Sequence, residues 1–193
     1  MPRRENHGGR RRPVLDRRYT VLVFCGAART EPAYLDGLKR VTRSSGLTVK
    51  IRQDGVAPDA LVRAAAGYRA RHPGVFDEVW CVVDVDDFDI ESAAVEARRR
   101  NVHLAVSNPC FELWLLLHHA DCRSYCAGYP DVANRLKRYV PAYDKTRLDF
   151  ADFAPGLAGA LARAEELDPT GSDHRRNPSS GMWRLVGRIL EKR

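Results

Sequence analysis

Two short runs of unbroken hydrophobicity most constrain this chain. Tyr19-Thr20-Val21-Leu22-Val23-Phe24-Cys25 and Glu78-Val79-Trp80-Cys81-Val82-Val83 are strand-length and carry no polar alternation. A strand with water on one face alternates apolar and polar residues, whereas one buried on both faces does not. Both runs therefore belong in the middle of a sheet covered on its two sides. Between and after them come segments of helical spacing. Glu31–Arg43 repeats Tyr34, Leu35, Leu38 and Val41, with Pro32 where a first helical turn tolerates it. Pro58-Asp59 opens a second helix with Leu61, Ala64, Ala65 and Tyr68 on one side, and Ile90–Arg100 reads as a third. Leu47, Val49 and Ile51 alternate with polar residues, as expected of a strand near a sheet edge, and Val102–Val106 reads as a short strand. Strand and helix alternate, which predicts an α/β fold with a parallel sheet of about four strands flanked by helices.

After Ser107 the pattern becomes helical. Cys110–His119 is apolar all round and predicts a buried helix; Asp131–Tyr139, Gly156–Leu167 and Ser179–Lys192 follow as a helical extension. The expected organisation is a basic, disordered arm over residues 1–18 and one domain over 19–193, with a core at 19–120 and the extension at 121–193.

The net charge of +7 is concentrated at the start: residues 1–18 carry seven arginines against Glu5 and Asp16. Such an arm suits phosphate binding, because each contact releases counterions from a polyanion, and it supplies affinity without sequence readout. No apolar run approaches the ~18–20 residues of a membrane span, and the Arg-rich start has no apolar signal region. Five irregularly spaced cysteines are not a disulfide framework, so a reducing cytoplasm is the expected location and no membrane partner is expected.

The chemistry is concentrated where the second apolar run ends, in Asp84-Val85-Asp86-Asp87. Parallel sheets bind ligands at the carboxyl ends of their strands. Asp84 and Asp86 point to one side while the chain stays extended. Adjacent carboxylates repel unless a cation lies between them, and a hard ion such as Mg²⁺ or Mn²⁺ relieves the conflict with oxygen ligands. Asp84, Asp86 and Asp87 are the candidate metal ligands, and Asp89 reads as a helix cap. Glu112, inside an apolar helix, is costly to bury unless it is paired or metal-bound. Ser107 and Asn108 are placed to donate to a phosphate. Lys145, Arg147, Arg175, Arg176 and Asn177 are further candidates for phosphate contact. His118, His119, Cys122 and Cys126 lack the ligand spacing of a zinc site and read as core or surface residues. Trp80, Trp114 and Trp183 fall on apolar faces.

An Asp-x-Asp at a strand end serves two chemistries: haloacid-dehalogenase-like phosphatases, where it follows the first strand, and Toprim domains, where both residues bind metal. Here it follows the third strand, which favours the Toprim-like arrangement. The chain also resembles the RloB-like family, Toprim-related proteins of bacterial restriction-linked and abortive-infection gene clusters. The resemblance rests on Thr30-Glu31-Pro32-x-Tyr34, Asp77-Glu78-Val79-Trp80 leading into the acidic cluster, Ser107-Asn108-Pro109-Cys110-Phe111-Glu112-Leu113-Trp114, Tyr143-x-Lys145 and Asn177-Pro178-Ser179-Ser180. It implies a metal-dependent, nucleic-acid-cleaving effector of phage defence, Mg²⁺ or Mn²⁺ as cofactor, DNA or RNA as partner, and an ATPase encoded nearby. One departure matters. The family's first-strand motif reads Cys-Glu-Gly-x-x-Thr-Glu, and here Gly26 stands where the acid/base Glu is expected. Glu31 or Glu112, with Lys145, would have to take over that catalytic role. Otherwise the chain is a decayed subunit that binds nucleic acid or a partner without cleaving.

Overall fold

The structure is a computed structural model that describes residues 19–27, 29–43, 46–51, 56–85 and 90–191. The arm at 1–18 and the acidic residues Asp86, Asp87 and Asp89 lie outside the described residues. The first four strands are β1 (Val21–Cys25), β2 (Leu47–Ile51), β3 (Glu78–Asp84) and β4 (His103–Asn108), all parallel, in the order β2-β1-β3-β4. Helices α1 (Thr30–Thr42), α2 (Pro58–Arg71) and α3 (Ile90–Arg100) make the crossovers between them.

The two apolar runs occupy the middle of this sheet, and their residues divide between two cores. Val21, Val23, Cys25, Trp80 and Val82 face one core with Tyr34, Leu35 and Leu38 of α1. Leu22, Phe24, Val79, Cys81 and Val83 face the other, with Leu61, Val62, Ala65 and Ala66 of α2 and Ile90 and Ala97 of α3. Two covered faces are the physical reason that these strands lack alternation. Right-handed crossovers put α1 and α2 on opposite faces, because the chain steps one way from β1 to β2 and the other way from β2 to β3.

The remaining helices are α4 (Glu112–Leu117), α5 (Tyr129–Leu136), α6 (Leu157–Leu167) and α7 (Met182–Glu191), with 3-10 turns at Phe150–Asp152 and Ala154–Gly156. Residues of α4 to α7 fill the core on the α1 side of the sheet. Gly37 of α1 permits a close packing against the first 3-10 turn: a Cβ there would lie 2.2 Å from the Phe150 Cβ.

Three expectations need correction. The helix expected from Ser179 begins at Met182; Ser179–Ser180 form a short strand, β5, antiparallel to β4 at Asn108 and Ser107. Its anchors are polar, the Ser107 and Ser180 hydroxyls 3.0 Å apart and the Gly181 N–H donating to the Val106 carbonyl at 2.8 Å, so no hydrophobic pattern announces it. The apolar stretch at 110–119 forms a helix only over Glu112–Leu117, flanked by turns. Val41, read into the apolar stripe of α1, is 61% exposed, whereas on α2 Leu61, Ala64, Ala65 and Tyr68 do share the face packed on the second core.

Candidate functional site

The strand order turns about β1 and β3: the connection from β1 runs to one side, and the chain then crosses back to β3 and onward to β4. Such a reversal opens a crevice at the carboxyl ends of the two central strands, where ligands of parallel sheets bind. β1 ends on Cys25, and the Gly26 N–H that follows donates to the Val82 carbonyl at 3.3 Å. β3 ends on Asp84, level with Ser107 of β4, and the Val85 N–H closes the ladder onto the Ser107 carbonyl at 3.0 Å. Asp84 thus stands at the crevice, half-buried, with Oδ1 shielded from solvent.

Two more carboxylates stand where the chain leaves the neighbouring strands. Glu31, in the first turn of α1, is 3% exposed, and Glu112, opening α4 after β4, is 5% exposed. The Tyr143 hydroxyl donates to Glu112 Oε1 at 2.9 Å. Cys110 lies in reach of both Glu112 and Asp84: burial first, then those two carboxylates, push its thiol well above the usual range. Burial and then Glu112 raise Tyr143 in the same way, and Tyr129 is raised by burial followed by Glu112 and Cys110. On the other flank, burial and then Glu31 push the Cys25 thiol up. Asp84 and Glu112 thus flank Cys110, with Tyr143 hydrogen-bonded to Glu112 and Tyr129 within the field of the same carboxylate.

Lys145 supplies its positive rim. Its ammonium lies 5.0 Å from the centre of the Tyr129 ring, a cation–π contact, and its carbonyl accepts from the Thr30 hydroxyl at 3.0 Å. That hydrogen bond ties the 143–145 segment to the start of α1, beside Glu31. Glu31, Glu112 and Asp84, read separately from the sequence, stand where the chain leaves β1, β4 and β3, and Lys145 is tied to the start of α1; no three acidic side chains among the described residues gather closely enough to share a metal.

Four of the candidate phosphate contacts, Ser107, Asn108, Arg175 and Asn177, are engaged within the protein. Ser107 bonds Ser180, and Asn108 Nδ2 donates to the His174 carbonyl at 2.8 Å. Arg175 pairs with Glu91. Asn177 brackets Cys126, accepting from its N–H at 3.0 Å and donating to its carbonyl at 2.9 Å. His118 is buried between the Phe153 carbonyl and the Tyr34 hydroxyl. Cys122 and Cys126 are free thiols with their sulfurs 3.5 Å apart. Among the described residues no three His, Cys, Asp or Glu side chains gather as a ready metal shell; Asp86 and Asp87 lie outside that set. The donors that are described, Asp84, Glu31 and Glu112, are hard oxygen ligands of the kind Mg²⁺ and Mn²⁺ select.

Sequence reading did not give a site role to Cys110, Tyr129 or Tyr143. Tyr143 had a signal in its spacing to Lys145, but its partnership with Glu112 is a contact across 31 residues that no local pattern encodes.

Fold and site together define an α/β protein with an acidic crevice at the carboxyl edge of a parallel sheet. The chain belongs to the RloB-like protein family, whose family model matches residues 21–189. The comparisons with curated proteins and with solved structures gave no match.

Proposed function

We propose that this chain is a Toprim-like, metal-dependent phosphodiesterase acting on nucleic acid as a cytoplasmic effector of phage defence, with an ATPase as its working partner. The observation that supports this reading best is Asp84 in the β1/β3 crevice with buried Glu112 in its neighbourhood. Asp84, with Asp86 and Asp87 following it in the sequence, is the proposed holder of Mg²⁺ or Mn²⁺. Held there, the ion would supply Lewis-acid polarisation of a phosphodiester oxygen and a more acidic bound water. Tyr143 fixes one oxygen of Glu112 and leaves the other to orient water or a metal-bound ligand. Lys145, held against Tyr129, places a positive charge where an entering phosphate needs one.

A second reading has its own support. Gly26 puts no carboxylate at the end of β1, so the crevice lacks one of the groups expected to move a proton. In that reading the protein binds metal and nucleic acid, or its partner, and cleaves weakly or not at all.

The test is incubation of whole protein, with and without the ATPase, with RNA and with single- and double-stranded DNA in Mg²⁺ or Mn²⁺, beside calorimetric Mn²⁺ titration. Cleavage abolished in Asp84→Ala and Glu112→Gln supports the enzyme. Metal binding without cleavage supports the second reading. Turnover of a phosphomonoester alone sinks both.

A further inference from the structure

The amino-terminal end of the sheet is chemically opposite to the acidic crevice. From Glu78 to Asp84, β3 spans roughly 20 Å at the usual rise of a strand. Two adjoining hollows lie at and beside its far end, of about 310 Å³ and 290 Å³, and they share His103 and Arg184. The first runs along the edge of β4, floored by Ala94, Ala97 and Leu104 and walled by Arg98, His174 and Arg184. The second continues past Trp80 to Glu78 and Arg188.

Four guanidiniums approach this groove, and their partners decide which charges remain unbalanced. Arg188 is paired with Glu78 at 2.7 Å and with Glu191, which also lines the second hollow, at 3.5 Å. Arg69, which lines neither hollow, donates to the carbonyls of Arg100 and Asn101 and among the described residues pairs with no carboxylate. Among the described residues Arg98 and Arg184 form no ion pair. The field of these cations is felt at one point: His103 is pushed below its usual range first by burial and then, against the opposing pull of Glu78, by Arg184, Arg188 and Arg69. Arg184 is also held in place. Its guanidinium sits 5.7 Å from the Trp80 ring centre, and its stem runs where a Cβ on Gly171 would be, 2.2 Å from Arg184 Cδ. Gly171 has φ +62°, so a glycine clears the path of this arginine.

The chain enters β1 at this same end. The Tyr19 ring lies 5.8 Å from the guanidinium of Arg188.

We infer that the groove along β4, from Arg98 through Arg184 to Arg188, is a docking site for the phosphate backbone of a nucleic acid. It runs along the outer edge of β4 as far as Val106, and its occupation does not depend on whether the Asp84 crevice cleaves. The two groove-lining guanidiniums with no carboxylate paired to them among the described residues, Arg98 and Arg184, match a polyanion, with Arg188 at the end of the groove already held by carboxylates. The open edge of β4 does not suit an added peptide strand. β5 and the Gly181 N–H already occupy Ser107, Asn108 and the Val106 carbonyl, which leaves one or two rungs near Leu104.

The test is fluorescence anisotropy of whole protein with a labelled 20-base-pair duplex and a single-stranded RNA, in EDTA, across a KCl series. Each lost duplex contact should lower the salt slope by about 0.9, which is about 8-fold in affinity near 0.1 M salt. Arg98→Gln, an exposed change, should show that single loss. Arg98→Gln/Arg184→Gln should approach twice the slope change and lose about 10- to 60-fold on the same basis. Arg123→Gln/Arg138→Gln removes equal charge elsewhere and should weaken binding less than about 3-fold, the screened long-range part alone. Equal losses in the two double variants would mean that only net charge matters and would overturn the site. So would unchanged binding by the groove variants, or binding of poly-glutamate, but not of nucleic acid, that depends on Arg98. EDTA keeps the result separate from metal-dependent cleavage.

Discussion

His118 is expected to make the stability of this protein fall as the pH drops below neutrality. Its Nδ1 lies 2.6 Å from the Phe153 carbonyl, which can only accept, so Nδ1 carries the proton and donates. Nε2 is then a bare acceptor and receives the Tyr34 hydroxyl at 3.1 Å. The ring is enclosed by the edges of Tyr34, Trp114 and Phe153 and is 4% exposed. A second proton would place a charge in an apolar enclosure and turn the acceptor facing Tyr34 into a donor. The ring is accordingly pushed down to about 4, by burial first, with the Phe153 carbonyl opposing and His119 and Arg163 adding a little. In the unfolded chain the value is about 6.5. The folded state therefore refuses a proton that the unfolded chain accepts. Stability is full above pH ~6.5, declines as the pH falls toward ~4 and loses nothing more from this group below that. The whole displacement is worth about 3 kcal/mol, of which about 2 kcal/mol is lost by pH 5. Urea unfolding of wild type and His118→Gln at pH 7.5, 6.5, 5.5 and 5.0 measures it. The variant is less stable at pH 7.5, but its stability should fall with pH less steeply, by about 2 kcal/mol over the range. Parallel lines for the two proteins would refute the reasoning.

Other substitutions address the packing and the site. Gly26 has ordinary room for a side chain, a Cβ meeting the Val82 carbonyl at 3.7 Å and Leu61 Cδ2 at 3.8 Å. Gly26→Glu should cost no more than about 1 kcal/mol and should raise Mn²⁺ affinity and cleavage; a folded variant with neither gain argues against the Toprim-like reading. Tyr143→Phe removes the donor to a buried Glu112 oxygen and should cost about 1–3 kcal/mol in chemical denaturation; a loss below a few tenths would show that water replaces the hydroxyl. Gly37→Ala should destabilise by about 1–3 kcal/mol through overpacking against Phe150, although alanine favours the helix itself; a stabilised variant would show that Phe150 relaxes freely.

The parts of the fold that were legible in the sequence are those whose burial is written in local pattern. β1 and β3 read as two-faced strands because both of their faces are covered, and α3 was expected over the residues it occupies, Ile90–Arg100. β5 was not legible: its Ser-Ser-Gly segment is positioned by hydroxyl and backbone bonds to a strand some 70 residues earlier. Glu31, Glu112, Lys145 and Asp84 could be named one by one, as charged residues beside hydrophobic elements. What joins them, the Tyr143 hydrogen bond and the Tyr129 platform for Lys145, comes from loops packed around α4. The groove at Arg98 and Arg184 was hidden for a related reason. Arg98, in the last turn of α3, looks like an ordinary partner of the helix dipole, and nothing local joins it to Arg184, at the start of α7, until the topology brings α3, α7 and the start of β3 together.

The central claim, that the acidic end of β3 holds a divalent ion, is tested most directly by Mn²⁺ titration calorimetry of wild type and Asp84→Ala, each confirmed folded. A carboxylate that ligates the ion predicts saturable binding by wild type and at least about tenfold weaker binding by the variant, a loss of about 1.4 kcal/mol or more. Equal affinity in the two proteins, or no binding by wild type at millimolar Mn²⁺, would contradict the account.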